Sequence, residues 1–154
     1  MKSLEALAEK FENISKNIDN NIMKAQEKTA QQIWADVINL APLKTGEYIS
    51  SIEIEGPEKV DDKIKTFVGS GLTVGPTLSE GKRYNLGFLL EHGTRPHDIY
   101  PVNSNYLVFD INGKTIFTKH VFHPGTISQP HYAIAIQKNK KLFRNNIKLS
   151  WREK

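Results

Sequence analysis

The feature that most constrains the fold is an apolar pattern with helical spacing in the first 40 residues. Its members recur mostly every three or four positions: Leu4, Leu7, Phe11, Ile14, Ile18, Ile22, Ala25, Ala30, Ile33, Val37 and Leu40. Such spacing places them on one side of an amphipathic helix, so we predict one long helix over residues 3–40. Pro42 ends this helix, because proline lacks the N–H that another helical turn requires.

The predicted helix is too long for the rest of the chain to cover. About 38 residues at 1.5 Å each span roughly 57 Å. That exceeds the width of a single domain of 154 residues. Either the helix breaks near residues 19–21, or its first half projects and packs on another subunit. A projecting half would hold its apolar side chains in water, which is unfavourable unless a partner covers them.

The remainder of the chain alternates strand and helix patterns. We predict strands over residues 48–56 and 63–69 that are joined by a turn over residues 56–62, and then a mobile glycine-rich loop over residues 69–83. A short helix follows over residues 84–92, a hairpin over residues 106–119 and a last helix over residues 132–151. This order predicts a single α+β domain over residues 1–154. Its long N-terminal helix packs on an antiparallel sheet, with a short middle helix and a C-terminal helix.

The hairpin is the most specific local prediction. The Asn-Gly pair at 112–113 is preferred in type I′ turns, because both central residues of that turn need positive φ. The turn fixes the register of the two strands. We therefore predict that Phe109 faces Ile116. In the same register, Val108 faces Phe117.

Composition excludes several classes of protein. The chain has no cysteine, so disulfides and thiolate metal sites are impossible. Its first residues are charged and lack the apolar segment of a secretory signal. No stretch approaches the roughly 18 apolar residues of a membrane-spanning helix. We therefore expect a soluble protein that is made in the cytoplasm and does not contact membranes.

The net charge of +4 is concentrated at the C-terminal end. Residues 138–154 hold seven basic side chains and one acidic, whereas residues 1–40 and 41–137 each hold one more acid than base. Candidates for contact with DNA or an acidic partner are Lys138, Lys140, Lys141, Arg144 and Lys148. The alternative is a solvated helix end whose positive charges favour the negative end of the helix dipole.

All five histidines fall between residues 92 and 131, which raises the question of a metal or acid–base site. Their spacing argues against one. His92 and His97 are five apart, and His120 and His123 straddle a strand end where their rings would point to opposite faces. We predict no metal, no cofactor, no small-molecule substrate and no catalytic residue. A histidine-dependent metal nuclease that uses these four side chains stays as the enzymatic alternative.

The stretch around Glu91 has an explanation as architecture. Gly93 can take positive φ, and Thr94 can satisfy free backbone groups in a turn. Arg95 could grip a carboxylate with two nitrogens, and Glu91 is the nearest candidate. The stretch would then form a stiff corner between the short helix and the following strand.

Three motifs in a fixed order resemble a known family. "APLKTGEYISSI" at 41–52 follows the long helix, "YNLGFLLEHGTRPH" at 84–97 contains an E-x-G-T, and "KHVFHPGTISQPHYAIAI" at 119–136 introduces the last helix. Together they resemble the small tail-component proteins of long-tailed, lambda-like bacteriophages and prophages. The resemblance covers about residues 3–150. The chain departs from the family pattern at Tyr48 and at residues 131–132, and these changes could alter the docking surface.

The resemblance implies a structural virion protein that acts in tail completion or head–tail joining, without catalysis. It implies partners among the head–tail connector and the tail tube or tail terminator proteins, and a homo-oligomer or ring in the particle. DNA in the channel is a further contact to consider, and residues 69–83 would order on a neighbour. The motif residues expected to hold the docking turns are Pro42, Thr45, Gly46, Glu91, Gly93, Thr94, Arg95, His123, Pro124, Gly125 and Pro130.

Overall fold

A computed structural model describes residues 2–44, 46–75 and 83–151 of the chain. The motif residue Thr45, residues 76–82 of the predicted loop and residues 152–154 of the basic end lie outside the described residues. The described part is mixed α+β, as predicted. It contains four helices and four two-stranded antiparallel sheets.

The first helix, α1, runs from Lys2 to Leu40 without a break. Of the two alternatives for this helix, the structure shows the projecting one. Its N-terminal half is exposed, with Leu4 75% and Phe11 63% accessible to solvent. Its C-terminal half packs on the rest of the fold, and Trp34 donates its indole N–H to the Ile52 carbonyl at 2.8 Å.

The last helix, α4, runs from Tyr132 to Ser150 and packs antiparallel against the C-terminal half of α1. Polar contacts help to hold the pair, and two of them come from asparagines of α4. The Asn139 amide donates to Asp36 at 2.6 Å, and the Asn146 amide donates to Thr29 at 3.0 Å. The side of α4 that faces α1 is therefore partly polar, while the apolar Ile136 lies 53% exposed.

The segment after α1 differs from the prediction of a strand over residues 48–56. A short helix, α2, spans Glu47–Ser50, and the strand β1 spans Ile52–Val60. The alternation of polar and apolar residues is real only from Ile52 onward. Before it, Gly46 takes φ +80° and starts a helical turn instead of extended backbone.

Strand β2 spans Lys63–Ser70 and pairs with β1. The predicted strand over residues 63–69 is confirmed, but the predicted turn over residues 56–62 is too long. Pairing continues to Val60 opposite Lys63, because Asp61 and Asp62 both adopt positive φ and close a two-residue turn. The β1–β2 hairpin packs on α1, and the Gln26 side-chain amide donates a hydrogen bond to the Ile64 carbonyl oxygen.

The described part of the predicted loop over residues 69–83 contains more order than composition indicated. Strand β3, Thr73–Val74, pairs with strand β4, Tyr84–Asn85. Helix α3 follows at Leu86–His92, as predicted. The Asn85 side chain caps it by accepting the Phe88 N–H at 2.9 Å.

Four strands follow α3. Strands β5, His97–Ile99, and β8, Val121–His123, pair with each other; β6, Leu107–Ile111, and β7, Lys114–Thr118, form the hairpin. The predicted register of that hairpin is confirmed at both pairs of facing residues. The pairing of β5 with β8 was not predicted, because these short strands lie more than 20 residues apart.

The buried core is small. Its members are Val37, Ala41, Tyr48, Ile52 and Ala135, which come from α1 and the residue after it, α2, β1 and α4. Half-buried side chains from β2 and α3 pack around them, including Val68 and Leu90. No helix in the described part of the chain is long and apolar enough to cross a membrane.

Candidate functional site

One region of the molecule has no core of its own. We call residues 92–130 the arm; it holds the β5–β8 pair and the β6–β7 hairpin, and none of its residues is buried. The buried residues Glu91 and His131 stand immediately before and after it. The arm therefore leaves and rejoins the folded body at adjacent points.

The arm exposes an unusual number of large apolar side chains. They are Tyr100, Val102, Tyr106, Val108, Ile111, Phe117, Phe122 and Ile127, and Phe117 alone is 65% accessible. Single exposed apolar side chains are ordinary, but contiguous ones mark a surface that binds another protein, and Val108 and Phe117 face each other across the β6–β7 hairpin. Many of the arm's large apolar residues can therefore meet a partner without unfolding.

Two glycines hold the base of the arm together. We call this contact the clasp: Thr94 and Thr126 exchange backbone hydrogen bonds of 3.0 and 3.1 Å. A Cβ on Gly93 would lie 2.4 Å from the Thr126 carbonyl oxygen, and one on Gly125 would lie 2.3 Å from the Thr94 carbonyl oxygen. Both glycines also adopt positive φ. Only glycine fits at either position.

The Glu91 carboxylate joins the arm's base to α4. It accepts the backbone N–H groups of His131, Tyr132 and Ala133 at 2.8, 3.0 and 2.9 Å. These N–H groups have no partner inside the helix, and the positive end of the helix dipole favours a negative charge there. Glu91 thus caps α4 from 40 residues away. The expected pairing of Glu91 with Arg95 is wrong, because this carboxylate is already occupied by α4.

The environment of Glu91 changes its protonation. Burial acts to raise the pKa of the Glu91 carboxyl, but the three backbone N–H donors together outweigh burial, and this pKa lies below its ordinary value. The side chain therefore stays ionised at neutral pH, which is the form that accepts all three hydrogen bonds.

Tyr48 and His131 are among the positions at which the chain departs from the family motifs, and they contact each other. The Tyr48 hydroxyl lies 2.6 Å from His131 Nε2, and the His131 ring is completely buried. His131 Nδ1 lies 2.7 Å from the Gln129 carbonyl, which can only accept, so Nδ1 carries a hydrogen. Burial, assisted by Tyr132 and Glu91, raises the pKa of the Tyr48 hydroxyl, which stays protonated.

The three sequence motifs therefore meet in one place. Tyr48 comes from the first, Glu91 from the second and His131 from the third, and further bonds join the last two. The Ser128 hydroxyl donates to the Glu91 carbonyl at 2.7 Å, and the Gln129 N–H donates to the Leu90 carbonyl at 2.8 Å. Neither Tyr48 nor His131 is among the motif residues that were expected to hold the docking turns. Each was noted only as a departure from the family pattern.

The other motif residues lie at turns or on the arm. Gly46 starts α2 and so positions Tyr48, while Pro42 follows the end of α1. His123 Nδ1 accepts the Gly125 N–H at 3.0 Å, which supports the clasp. Pro124, Pro130 and Arg95 lie exposed at the base of the arm.

Three histidines of the arm make two side-chain contacts at the β5–β8 ladder, one between two imidazole rings and one with a carboxylate. The rings of His97 and His123 are 5.0 Å apart, and His120 Nε2 lies 2.6 Å from an Asp98 carboxylate oxygen. His92 lies apart from them, against the Phe88 ring. Among the described residues, no group of three or more His, Cys, Asp or Glu side chains is placed to hold a metal ion.

The basic residues predicted to contact DNA or an acidic partner all lie on α4, which has no acidic residue. One of them serves the fold. Lys138 pairs with Asp36 at 2.6 Å, and hydrogen bonds from Lys138 and Asn139 lower the pKa of the Asp36 carboxyl against the opposing effect of burial. Three of the others, Lys140, Lys141 and Arg144, are exposed, as is Lys148 one turn further on.

An open groove of about 800 Å³ lies between α1, α4 and the β1–β2 hairpin. Apolar side chains from all three elements line it, including Ile33, Ile64 and Phe143. Phe67 and Ile136 stand more than half exposed at its edge. The groove is thus a second apolar surface, separate from the arm.

The family model described as "Bacteriophage HK97-gp10, putative tail-component" matches residues 5–93. The chain belongs to this family. The predicted resemblance to phage tail components is confirmed over α1, α2, the β1–β2 hairpin and α3. The match ends at Gly93, so the likeness of residues 119–136 stays a prediction. No curated protein and no solved structure matches the chain.

Membership in this family gives the protein a structural role in the phage tail and a place in the virion. Such a role implies contact with other virion proteins. The exposed surfaces of this tail component are the candidates for those contacts.

Proposed function

We propose that this tail component completes the tail or joins it to the head by ordered protein–protein assembly, with no catalytic turnover. Its partners are the head–tail connector and the tail tube or tail terminator proteins. It works as a homo-oligomer or as a ring in the particle, at the head–tail junction or in the tail.

The observation that carries this proposal is the arm. A segment with no buried residue, many exposed apolar side chains and a rigid clasp at its base is suited to inserting between neighbouring subunits. The clasp fixes where the arm leaves the body, because Gly93 and Gly125 let the two backbones approach more closely than any side chain would allow. The motif residues Glu91, Gly93, Thr94 and Gly125 then act as supports of the arm and make no direct contact with a partner.

Deletion of the gene in its parent phage or prophage tests the proposal. We expect electron microscopy of the induced lysate to show filled heads beside separate tails. A plasmid copy of the gene should restore joined particles, which controls for effects on neighbouring genes. Intact and infectious particles from the deletion strain would contradict the proposal.

A second candidate function is contact with DNA through α4. It is favoured by the four exposed basic residues at 140, 141, 144 and 148 and by the lack of acid on this helix. Duplex binding that weakens steeply with salt, and that weakens further when these four residues become glutamine, would support it. Truncation is a poor test, because Asn139 and Asn146 hold α4 to α1.

The enzymatic alternative is tested separately. Purified protein is incubated with DNA or RNA in the presence and absence of Mg²⁺ or Zn²⁺. Because the proposal is assembly without turnover, we expect no cleavage above that of a His97→Ala, His123→Ala double variant. Metal-dependent cutting that disappears in this variant would favour a nuclease.

A further inference from the structure

We infer that the exposed half of α1 docks in the groove of a second copy of this chain. The docking residues, which we call the stripe, are Leu4, Leu7, Phe11 and Ile14. This contact deepens the homo-oligomer part of the proposed function by naming the two surfaces that meet.

The stripe needs a partner. Its four side chains lie between 47% and 75% exposed on consecutive turns of one helix. Phe11, Ile18 and Ala25 are seven residues apart, which is about two turns, so the stripe continues the side of α1 on which Ala25 is buried. Four large apolar side chains in a row in water are costly to leave uncovered.

The groove offers a cover of suitable size and chemistry. Its volume of about 800 Å³ is bounded by two helices and a strand pair, and its edge residues Phe67 and Ile136 are themselves more than half exposed. An amphipathic helix laid into such a groove buries apolar area on both surfaces at once.

The stripe cannot reach the groove of its own chain. The groove is lined by Gln26, Thr29, Ala30 and Ile33 of the same unbroken α1. A continuous helix carries residues 4–14 away from residues 26–33 along its axis, by about 1.5 Å per residue. The contact must therefore join two copies.

Charge complementarity favours a second copy and selects the direction in which the helix lies. Lys10 borders the stripe on one side, while Glu5 and the Glu12–Lys16 ion pair of 2.8 Å lie further round the helix on the other. The groove has Lys140 on its α4 wall, and Glu55, Glu58 and Lys65 on its strand wall, which is acidic by one charge. In one direction Lys10 meets the acidic strand wall, and in the other direction it meets Lys140.

This surface pairs two different patches of the same molecule. Such a contact is heterologous when copies follow one another, and repeated copies then close into a ring if the rotation between them allows; two copies that exchange helices reciprocally form a two-fold pair instead. The pairing explains why one chain exposes both an apolar helix and an apolar groove.

Thiol cross-linking tests the contact directly, because the chain has no cysteine of its own. Full-length Phe11→Cys protein is mixed with tagged Ile136→Cys protein and treated with a short bismaleimide. The matched control partner carries Val108→Cys, on the arm, where exposure is 58% against 53% for Ile136. We expect the groove pair to cross-link more than the control pair by on the order of tenfold.

Several outcomes would overturn the inference. They are equal yields with the groove and arm partners, predominant Phe11-to-Phe11 cross-links, and a monomer at the highest soluble concentration. In the second case the stripe meets its own counterpart; in the third it is covered by a different protein. Thermal unfolding confirms that each cysteine variant is folded before mixing.

A charge exchange tests the direction. Lys10→Glu should weaken self-association by about tenfold, since it places a third acid against Glu55 and Glu58. Adding Glu55→Lys and Glu58→Lys to the same chain should restore it. Absence of rescue would contradict the proposed direction. These assays use the purified chain, so their failure is distinguishable from a failure of the head–tail joining proposal, which the gene deletion tests.

Discussion

The body and the arm of this molecule are stabilised in different ways. The body around α1 and α4 has a small buried core and polar bonds between its helices, such as that from Asn139 to Asp36. The arm has no buried residue and depends on ladder hydrogen bonds and on the clasp at its base. The difference indicates that stability is located in the body and in the clasp, while the apolar surface of the arm is kept for partners.

The largest effect is expected at the clasp. Gly93→Val and Gly125→Ala each place a Cβ within 2.4 Å of a backbone carbonyl oxygen at positive φ. We expect a loss of at least about 3 kcal/mol in the free energy of unfolding, or no folded protein, because backbone must move on both sides. Soluble yield and urea unfolding measure it.

Two glycines provide matched controls for the clasp. A Cβ on Gly71 meets nothing within 4 Å, and Gly46 combines open space with positive φ. Gly71→Ala should therefore be nearly silent, and Gly46→Ala should show the conformational cost alone, about 1 kcal/mol. A Gly125→Ala protein as stable as the Gly71→Ala protein would refute the role of the clasp.

The next largest effect is expected at the cap of α4. Glu91→Ala leaves three backbone N–H groups without their acceptor in a buried place, so we expect a loss of about 2–3 kcal/mol. Glu91→Gln keeps one carbonyl oxygen and should lose less. Urea unfolding of the two variants separates the hydrogen bonds from the charge, and a Glu91→Gln protein as stable as the wild-type chain would argue against a role for the charge.

The same cap predicts acid sensitivity. Because the pKa of the folded Glu91 carboxyl lies below its ordinary value of 4.5, its stabilising contribution is complete above that value and is lost as pH falls through the folded pKa. Asp36 acts in the same direction, since its pKa is also lowered. Stability measured from neutral to acid pH should fall less steeply for Glu91→Gln than for the wild-type chain. Parallel curves would contradict this.

A smaller effect is expected between α1 and α4. Asn146→Ala removes the hydrogen bond to Thr29 and should cost about 1 kcal/mol in unfolding free energy. The neighbouring exposed Asn145→Ala is the control and should change little. If the two substitutions had the same effect, the polar contact would not contribute to holding the helices.

The smallest effect on stability is expected on the arm itself. Phe117→Ser and Val108→Ser alter side chains that are 65% and 58% exposed, so the unfolding free energy should change by less than about 0.5 kcal/mol. The same variants should reduce infectious particles in complementation of the deletion strain. A large loss of unfolding free energy in these variants would show that the arm has a core after all.

Sequence reasoning succeeded where the determinants are local. The helix α1 follows from a spacing of three and four, and the β6–β7 register follows from the Asn-Gly turn. It failed at residues 48–51, where Gly46 starts a helical turn that alternation alone cannot reveal. The cap from Glu91 to α4 was missed because 40 residues separate the partners, and Arg95 stood closer in the sequence.

The contact between Tyr48 and His131 could have been suspected. Both positions depart from the family pattern, and a hydroxyl and an imidazole are natural partners if the two motifs meet in space. Nothing within either motif says that they do. The two glycines of the clasp are a similar case, since each marks a turn in the sequence. Only the folded chain shows that the position a Cβ would take on each glycine is occupied by the backbone of the other segment.

The polar contacts between α1 and α4 also determine how far α1 extends beyond the end of α4. Asp36 and Thr29 are seven residues apart on α1, and Asn139 and Asn146 are seven apart on α4, so both pairs form in a single register. Sliding one helix by two turns would keep only one amide facing a polar side chain. The distance by which α1 extends beyond the end of α4 is therefore built into the sequence, and every copy in an assembly would reach its neighbour at the same spacing.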